Sequence, residues 1–258
     1  MTGITCQRCK RPICGECMNP ASVGFQCPKC ASPKTSGVRA PKTAFGAALT
    51  ARGGTATKVL MGIVAGVWVL DLITGRLATG LLIMSNEGVA AGHFWRLLTG
   101  SVISGSIFGV LMNMLVLWMV GRALESELGG WRFVTLYFAA GLGGSTLLFV
   151  LAPFASFGYG ASAAVVGLLA ANAVFKHKTK EDVRADVGLF LLLILYGVLV
   201  NFRYFGWLML IGGVLVGAIA GVVLAYAPRQ NRATIQVVGL LGVLLLCLLA
   251  VVAKLTLL

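Results

Sequence analysis

Seven apolar stretches follow one another along the chain, near Val59–Thr74, Ser106–Val120, Phe133–Ala152, Ala161–Phe175, Val187–Val200, Leu208–Ala227 and Ile235–Val252. A helix needs roughly 20 residues to cross a hydrocarbon core of about 30 Å, and fewer where the bilayer thins. Buried inside a soluble protein, seven such helices would leave almost no polar surface. Of the 258 residues 58% are apolar and 11% charged, and the mean hydropathy is +0.92, values outside the range of soluble domains. The chain therefore reads as an all-α polytopic membrane protein. Its 34 glycines suit close helix contact in lipid.

Orientation follows from the basic residues. With the amino terminus inside, inner segments hold nine Lys and Arg in residues 1–58, then Arg122, Arg132, Lys176, Lys178, Lys180, Arg184, Arg229 and Arg232, while the outside holds Arg76, Arg96, Arg203 and Lys254. A split of 17 to 4 obeys the positive-inside rule. The net charge of +13 thus expresses topology and implies no nucleic-acid partner. The first 40 residues are polar and cysteine-rich and do not read as a cleavable leader.

Six of the seven cysteines form three CxxC pairs: Cys6/Cys9, Cys14/Cys17 and Cys27/Cys30. Such a turn sets two thiolates at two corners of a zinc tetrahedron, and a second pair closes the site. Disulfides are the competing reading, disfavoured by a reducing cytoplasm. Residues 1–31 are expected to form a structural zinc module with all six cysteines as candidate ligands. Six thiolates do not divide into two four-ligand sites, so one ion or two stays open. A cross-braced arrangement would join Cys6/Cys9 to Cys27/Cys30 and leave Cys14/Cys17 wanting an earlier pair. The segment resembles small cross-braced modules of the B-box kind, whose first ligand pair would lie just upstream of Met1, which leaves the position of the true start open. Residues 32–58, with Pro33, Pro41 and five basic residues, read as a flexible basic linker able to touch anionic lipid heads. Cys247 reads as a small apolar residue.

Within the apolar region several local features recur in order. They are His93-Phe94-Trp95-Arg96-Leu97-Leu98-Thr99, Asn113-Met114, Gly121-Arg122-Ala123-Leu124-Glu125-Ser126-Glu127-Leu128-Gly129, Gly160-Ala161-Ser162-Ala163 and Gly212-Gly213-Val214-Leu215-Val216-Gly217. Together they resemble the rhomboid family of intramembrane serine proteases, from about Val59 to Arg229. The cysteine arm fits bacterial members that carry an amino-terminal metal module. The resemblance implies a six-helix core over 59–229 with a water-filled cavity, here followed by a seventh helix in 230–258. It implies an integral protein of a bacterial plasma membrane, with the lipid bilayer and transmembrane client or substrate proteins as partners. It places the nucleophile at Ser162, in a GxSG motif that Ala163 breaks, and an oxyanion-supporting residue at Asn113.

The same resemblance puts the general base three residues before a GxxxG pair. With Gly213 and Gly217 as that pair the position is Leu210, and 202–227 contains no histidine. Two further family histidines fall on Gly109 and Ser104, and the aromatic that stacks on the base falls on Val166. A serine hydroxyl needs a proton acceptor within about 3 Å as it attacks. His177, 15 residues after Ser162, stands roughly 22 Å away along a helix. His93 lies on the same side as Ser162, though beside Phe94 and Trp95 it reads as an interfacial residue. Asp71 lies inside a span, where carboxylates are costly; with no second carboxylate in any core it is expected to reach the interface and pair with Arg76. Glu125 and Glu127 with Arg122 fit the family's structural GxxxExxxG stretch.

Three functions compete at this stage. A pseudoprotease would bind client helices without cleaving them. An active serine endopeptidase would use Ser162 with His93 or water as base. A transporter or channel would require polar residues along a path, and the spans offer few.

Overall fold

A computed structural model describes residues 4–21, 23–31, 43, 45–47, 54–201, 205–228 and 230–257. Arg203, Arg229 and much of the stretch read as a linker (32–42, 44 and 48–53) lie outside the described residues. The chain divides into two compact units, Met1–Pro41 and Lys42–Leu258.

In the first unit, two-residue strands β1 (Asn19–Pro20) and β2 (Phe25–Gln26) pair antiparallel with Asn19 opposite Gln26. An isolated bridge joins Thr5 to Pro12. These short pairings fold the chain back so that its first and third CxxC turns meet.

The second unit is helical. Its long helices are α1 (Thr55–Ile73), α2 (Ile107–Leu128), α3 (Gly130–Leu151), α4 (Ala161–Thr179), α5 (Arg184–Asn201), α6 (Trp207–Tyr226) and α7 (Arg232–Leu255). Each of the seven expected spans is a helix. Among the described residues α1, α2, α3, α6 and α7 are long and apolar enough to cross a membrane. α4 ends in Lys176, His177 and Lys178, and α5 is crossed by a shorter apolar run.

Small residues set the centre of the bundle. A Cβ on Gly213 would run into the Ala163 carbonyl, one on Gly217 into the Gly167 carbonyl, and one on Gly221 would come 2.9 Å from the Ala171 Cα. α6 therefore lies backbone against backbone on α4, with Gly221 extending the glycine seam one turn beyond the pair visible in the motif. On the other face of α6, a Cβ at Gly212 would meet the Gly143 carbonyl of α3. Such approach is how helices gain packing contact where lipid supplies no hydrophobic drive between them.

Charged residues shift two of the expected boundaries. α2 runs past Val120, through a π-helical turn at Leu117–Gly121, to Leu128. The extension brings Glu125 to the start of α1, whose own N-cap, Gly54, offers no side chain. Glu125 Oε1 accepts the Ala56 N–H at 2.9 Å, and Oε2 accepts the Thr57 N–H and hydroxyl, each at 2.7 Å. Three donors orphaned or free at a helix start are thus met by one carboxylate. Gly129, with φ +82°, reverses the chain into α3 within one residue.

Asp71 corrects an expectation. Its carboxylate does not go to the Arg76 side chain; it accepts the Thr79 N–H at 2.6 Å and the Thr79 hydroxyl at 2.7 Å. The cause is local, since Gly75 and Arg76 both take left-handed backbone angles and turn the chain into a short helix, Leu77–Leu82, whose first turn faces Asp71. A second finding concerns the linker stretch. Phe45 is buried with its ring 4.9 Å from that of Phe175, and the Thr43 hydroxyl donates to the Glu127 carbonyl at 2.6 Å.

Between α1 and α2 the chain builds an unpredicted cap of short helices, Leu77–Leu82, Asn86–Ala90 and Arg96–Thr99. Strand β3 (Met84–Ser85) pairs antiparallel with β4 (Phe157–Gly158), just ahead of α4. Arg96 ties the cap together, donating to the Gly80 carbonyl at 2.7 Å and the Ile83 carbonyl at 3.2 Å.

Candidate functional site

Ser162 stands in the first turn of α4, and the strand pairing of β4 fixes how the chain enters it. The Gly160 N–H donates to the Gly100 carbonyl at 2.9 Å and the Ala161 N–H to the Ile103 carbonyl at 3.3 Å. A Cβ on Gly160 would lie 2.8 Å from the Gly100 carbonyl group. The glycine of the Gly-x-Ser turn is therefore a packing requirement. Ala163, which departs from the family motif, points away from the site: it is fully buried, and its methyl occupies the space beside Gly144 of α3.

Asn113 sits on α2, one turn before the π-helical segment, and is 2% exposed. Its amide Nδ2 donates to Ser104 Oγ at 3.0 Å and, more weakly by length, to Ser162 Oγ at 3.4 Å. Three residues expected at one site, Ser104, Asn113 and Ser162, are thus brought together. A cavity of about 20 Å³ adjoins them, lined by Gly109, Asn113, Ser162, Val166, Leu193 and Gly197 among others. That volume holds roughly one water. Among the described residues the lining offers the serine hydroxyl a hydrogen-bond donor and apolar walls but no ionisable proton acceptor.

Leu210 is 2% exposed and lies one turn before Gly213 on α6. Its Cδ1 fills the space in which a Cβ of Gly197 would have to sit, so it backs the α5 wall of the same cavity. Gly109, where the resemblance expects a second histidine, donates its N–H to Ser106 Oγ at 3.1 Å in a helix-capping bond. His93 sits in the cap of short helices, its backbone N–H donating to the Gly88 carbonyl at 2.9 Å and its ring 4.7 Å from that of Trp95. It is not among the residues lining the Ser162 cavity. His177 is in the last turn of α4, at the far end of the helix that Ser162 begins. The contribution of α5 escaped sequence reading, because an apolar residue and a glycine in an apolar span carry no chemical signature.

In the amino-terminal unit the Sγ atoms of Cys6, Cys9, Cys27 and Cys30 all lie within 4.8 Å of one another. Zinc–sulfur bonds of about 2.3 Å imply tetrahedral S···S edges of about 3.8 Å, and Cys9 and Cys27 stand 3.8 Å apart. The Cys27 N–H donates to Cys6 Sγ at 3.4 Å. Backbone donation from Cys27, then from Cys9, pulls the Cys6 thiol down to about 6, and backbone donation from Cys30 lowers Cys27. Cys30, hydrogen-bonded chiefly to Cys27, is pushed up to about 12. Two thiolates thus form readily while the crowding of sulfurs resists the last ionisation, the arrangement a divalent cation stabilises. The four cysteines are close enough to hold a metal ion. Cys14 and Cys17 fall outside this group and approach each other instead, so the cysteines that lie together are four of the six candidates.

Comparison with known proteins agrees with this geometry. Residues 91–231, more than half of the chain, match the rhomboid domain family. The chain is 44% identical over 86 residues to "Rhomboid protease GluP" of Bacillus subtilis (strain 168), covering 33% of this chain and 17% of that protein. It is 35% identical over 83 residues to "Putative rhomboid protease YdcA" of the same organism, covering 32% of this chain and 42% of that protein. The aligned stretches span less than half the length of either relative. With the expected motifs assembled on the expected helices, the chain is an integral membrane protein that belongs to the rhomboid family.

Proposed function

We propose that this protein is a pseudoprotease: a rhomboid scaffold that holds transmembrane helices of client proteins and has lost efficient peptide-bond hydrolysis. One observation carries the reading. The cavity beside Ser162 is lined by Gly109, Val166, Leu193 and Gly197 where a dyad requires a base, and Leu210 packs behind it. Removing the base from a serine site costs several orders of magnitude in rate, since donors and binding alone recover only a small part. Ser162 then serves as a small helix-start residue.

A second reading, an active intramembrane serine endopeptidase with Ser162 as nucleophile, is favoured by the Asn113 to Ser162 contact and by the names of the two relatives. Detergent-purified protein incubated with a fluorophosphonate probe and a generic transmembrane substrate separates them, with Ser162→Ala as control. The pseudoprotease reading expects no Ser162-dependent labelling or cleavage. Either signal, lost in Ser162→Ala, overturns it.

For the amino-terminal unit the proposed metal is zinc, held by Cys6, Cys9, Cys27 and Cys30, which when bound would neutralise the thiolates and lock the two CxxC turns together. Zinc should co-purify in about one equivalent and be lost in Cys6→Ser/Cys27→Ser. Metal content unchanged by that double substitution would refute the ligand set. The proposed setting is a bacterial plasma membrane with the amino terminus cytoplasmic, supported by the basic residues Arg122, Arg132, Lys176, Lys178 and Arg232 at the end of the bundle where α3 and α7 begin.

A further inference from the structure

A polar cavity of about 330 Å³ opens where α3 and α7 begin, at the end of the bundle opposite Ser162. Its lining includes Gly46, Arg132, Asn231, Arg232 and Thr234. Arg132 is 7% exposed. Its Nε donates to Gln236 Oε1 at 2.8 Å and its Nη1 to the Leu128 carbonyl at 2.9 Å, while Gln236 is itself fixed by donating to the Leu224 carbonyl at 2.9 Å. A guanidinium has five N–H donors in a planar fork. These two bonds hold the fork in place and leave Nη2, beneath Gly46, with no hydrogen-bond acceptor among the described residues.

Trp131 offers Arg132 its ring 4.7 Å away, and no carboxylate lines the cavity among the described residues. What faces Arg132 is a second cation. A side-chain carbon placed on Gly46 would lie 3.6 Å from Arg232 Nη1 and 3.8 Å from Arg132 Nη2, so the two forks converge on one point. Buried charges are ordinarily paired, because leaving one unpaired is costly.

The third source of positive potential is α7 itself. This helix has 24 residues, and its N-cap, Asn231, makes no side-chain capping bond. The N–H groups of Ala233 and Thr234 precede the first intrahelical bond, from the Ile235 N–H to the Asn231 carbonyl, and stand at the positive end of the helix dipole. Two guanidinium forks and an uncapped helix start around one polar cavity match the three-cornered acceptor set of a phosphate. Both helices are of membrane length, so their mouths lie at the depth of lipid headgroups. We propose that this cavity binds a phosphate-type oxyanion, supplied by the headgroup of an anionic phospholipid or by free phosphate. The site is independent of whether Ser162 reacts.

The test uses the full-length protein in detergent. Native mass spectrometry after adding phosphatidylglycerol or phosphatidylcholine reads the lipid source. Thermal unfolding in inorganic phosphate against chloride at matched ionic strength reads the free ion. Two variants bracket the site. Arg232→Gln leaves the Arg132–Gln236–Leu224 chain intact. Asn231→Asp supplies a good helix cap and so favours folding, while placing a negative charge in the cavity.

In the wild type the expected result is preferential retention of phosphatidylglycerol, or a rise in midpoint with phosphate. Binding should weaken about tenfold in Arg232→Gln, the scale of one charge-assisted hydrogen bond, and more in Asn231→Asp. A lipid preference assigns the headgroup, and a phosphate effect without it assigns the free ion. Absence of both effects, or effects equal in the wild type and in both variants, overturns the proposal.

Discussion

The two ends of the bundle treat polar residues differently. Beside Ser162 the buried polar groups are neutral and short, Asn113 reaching Ser104 at 3.0 Å and Ser162 at 3.4 Å. Twelve residues along α2, roughly 18 Å away, Glu125 gathers three donors from Ala56 and Thr57, and Arg132 reaches Gln236 across 104 positions of sequence. The second set joins helices through short bonds to charged groups, so the fold needs it whatever the protein does. The first set also links two helices, Asn113 on α2 and Ser162 on α4, but through a single contact at the long limit of a hydrogen bond. Leu210 packs tightly against Gly197, so on the proposed reading the fold tolerates an apolar residue where the resemblance expects a base. The family's chemistry can therefore fade while its architecture stays sharp.

The largest effect expected from this contrast lies in the seam both ends share. Gly213→Val would drive a branched side chain into the Ala163 carbonyl. Neither backbone can retreat without opening α4 against α6, and the expected cost is about 3 kcal/mol or more. Reversible unfolding in mixed micelles should show it as a large shift in midpoint. A shift as small as that of a surface substitution would mean the seam is looser than the glycines indicate.

A smaller effect tests the architectural end by itself. Glu125→Ala removes the acceptor from the first turn of α1 and leaves the Thr57 N–H and hydroxyl buried without a partner. The expected destabilisation is about 2 kcal/mol, with α1 amides exchanging faster than those of α4. Glu125→Gln, which keeps one acceptor oxygen, should recover part of the loss.

The seven helices were legible because each is an apolar run, and apolar runs reveal helices that lipid or core surrounds. Their ends were less so wherever a charged residue is buried. Glu125 read as a loop residue since its partners at Ala56 and Thr57 lie nearly 70 positions away, and the expected end of the second span at Val120 fell short of Leu128 for that reason. Phe45 read as linker because one aromatic in a polar stretch has no period, and its burial depends on Phe175. The cap over residues 77–99 is held by Arg96 bonds to carbonyls, which leave no mark on sequence. At the site, the sequence motifs singled out Ser162, Asn113 and Ser104, and these three do lie together. The α5 wall was invisible, because the cavity is shaped by the small size of Gly197 and the placement of Leu193.

The smallest expected effect is the most telling for the comparison. Ser162→Ala removes a hydroxyl whose one described partner is Asn113 at 3.4 Å, at the edge of hydrogen-bond length, beside a cavity of about 20 Å³. The amide of Asn113 keeps its 3.0 Å bond to Ser104, so no buried donor is stranded. Stability should change by no more than about 0.5 kcal/mol, far less than in Glu125→Ala. A cost near that of Glu125→Ala would break the contrast, because Ser162 would then be held by the fold and its retention would carry no information about function. A cost near zero, together with absent probe labelling, would leave helix packing as the role of Ser162.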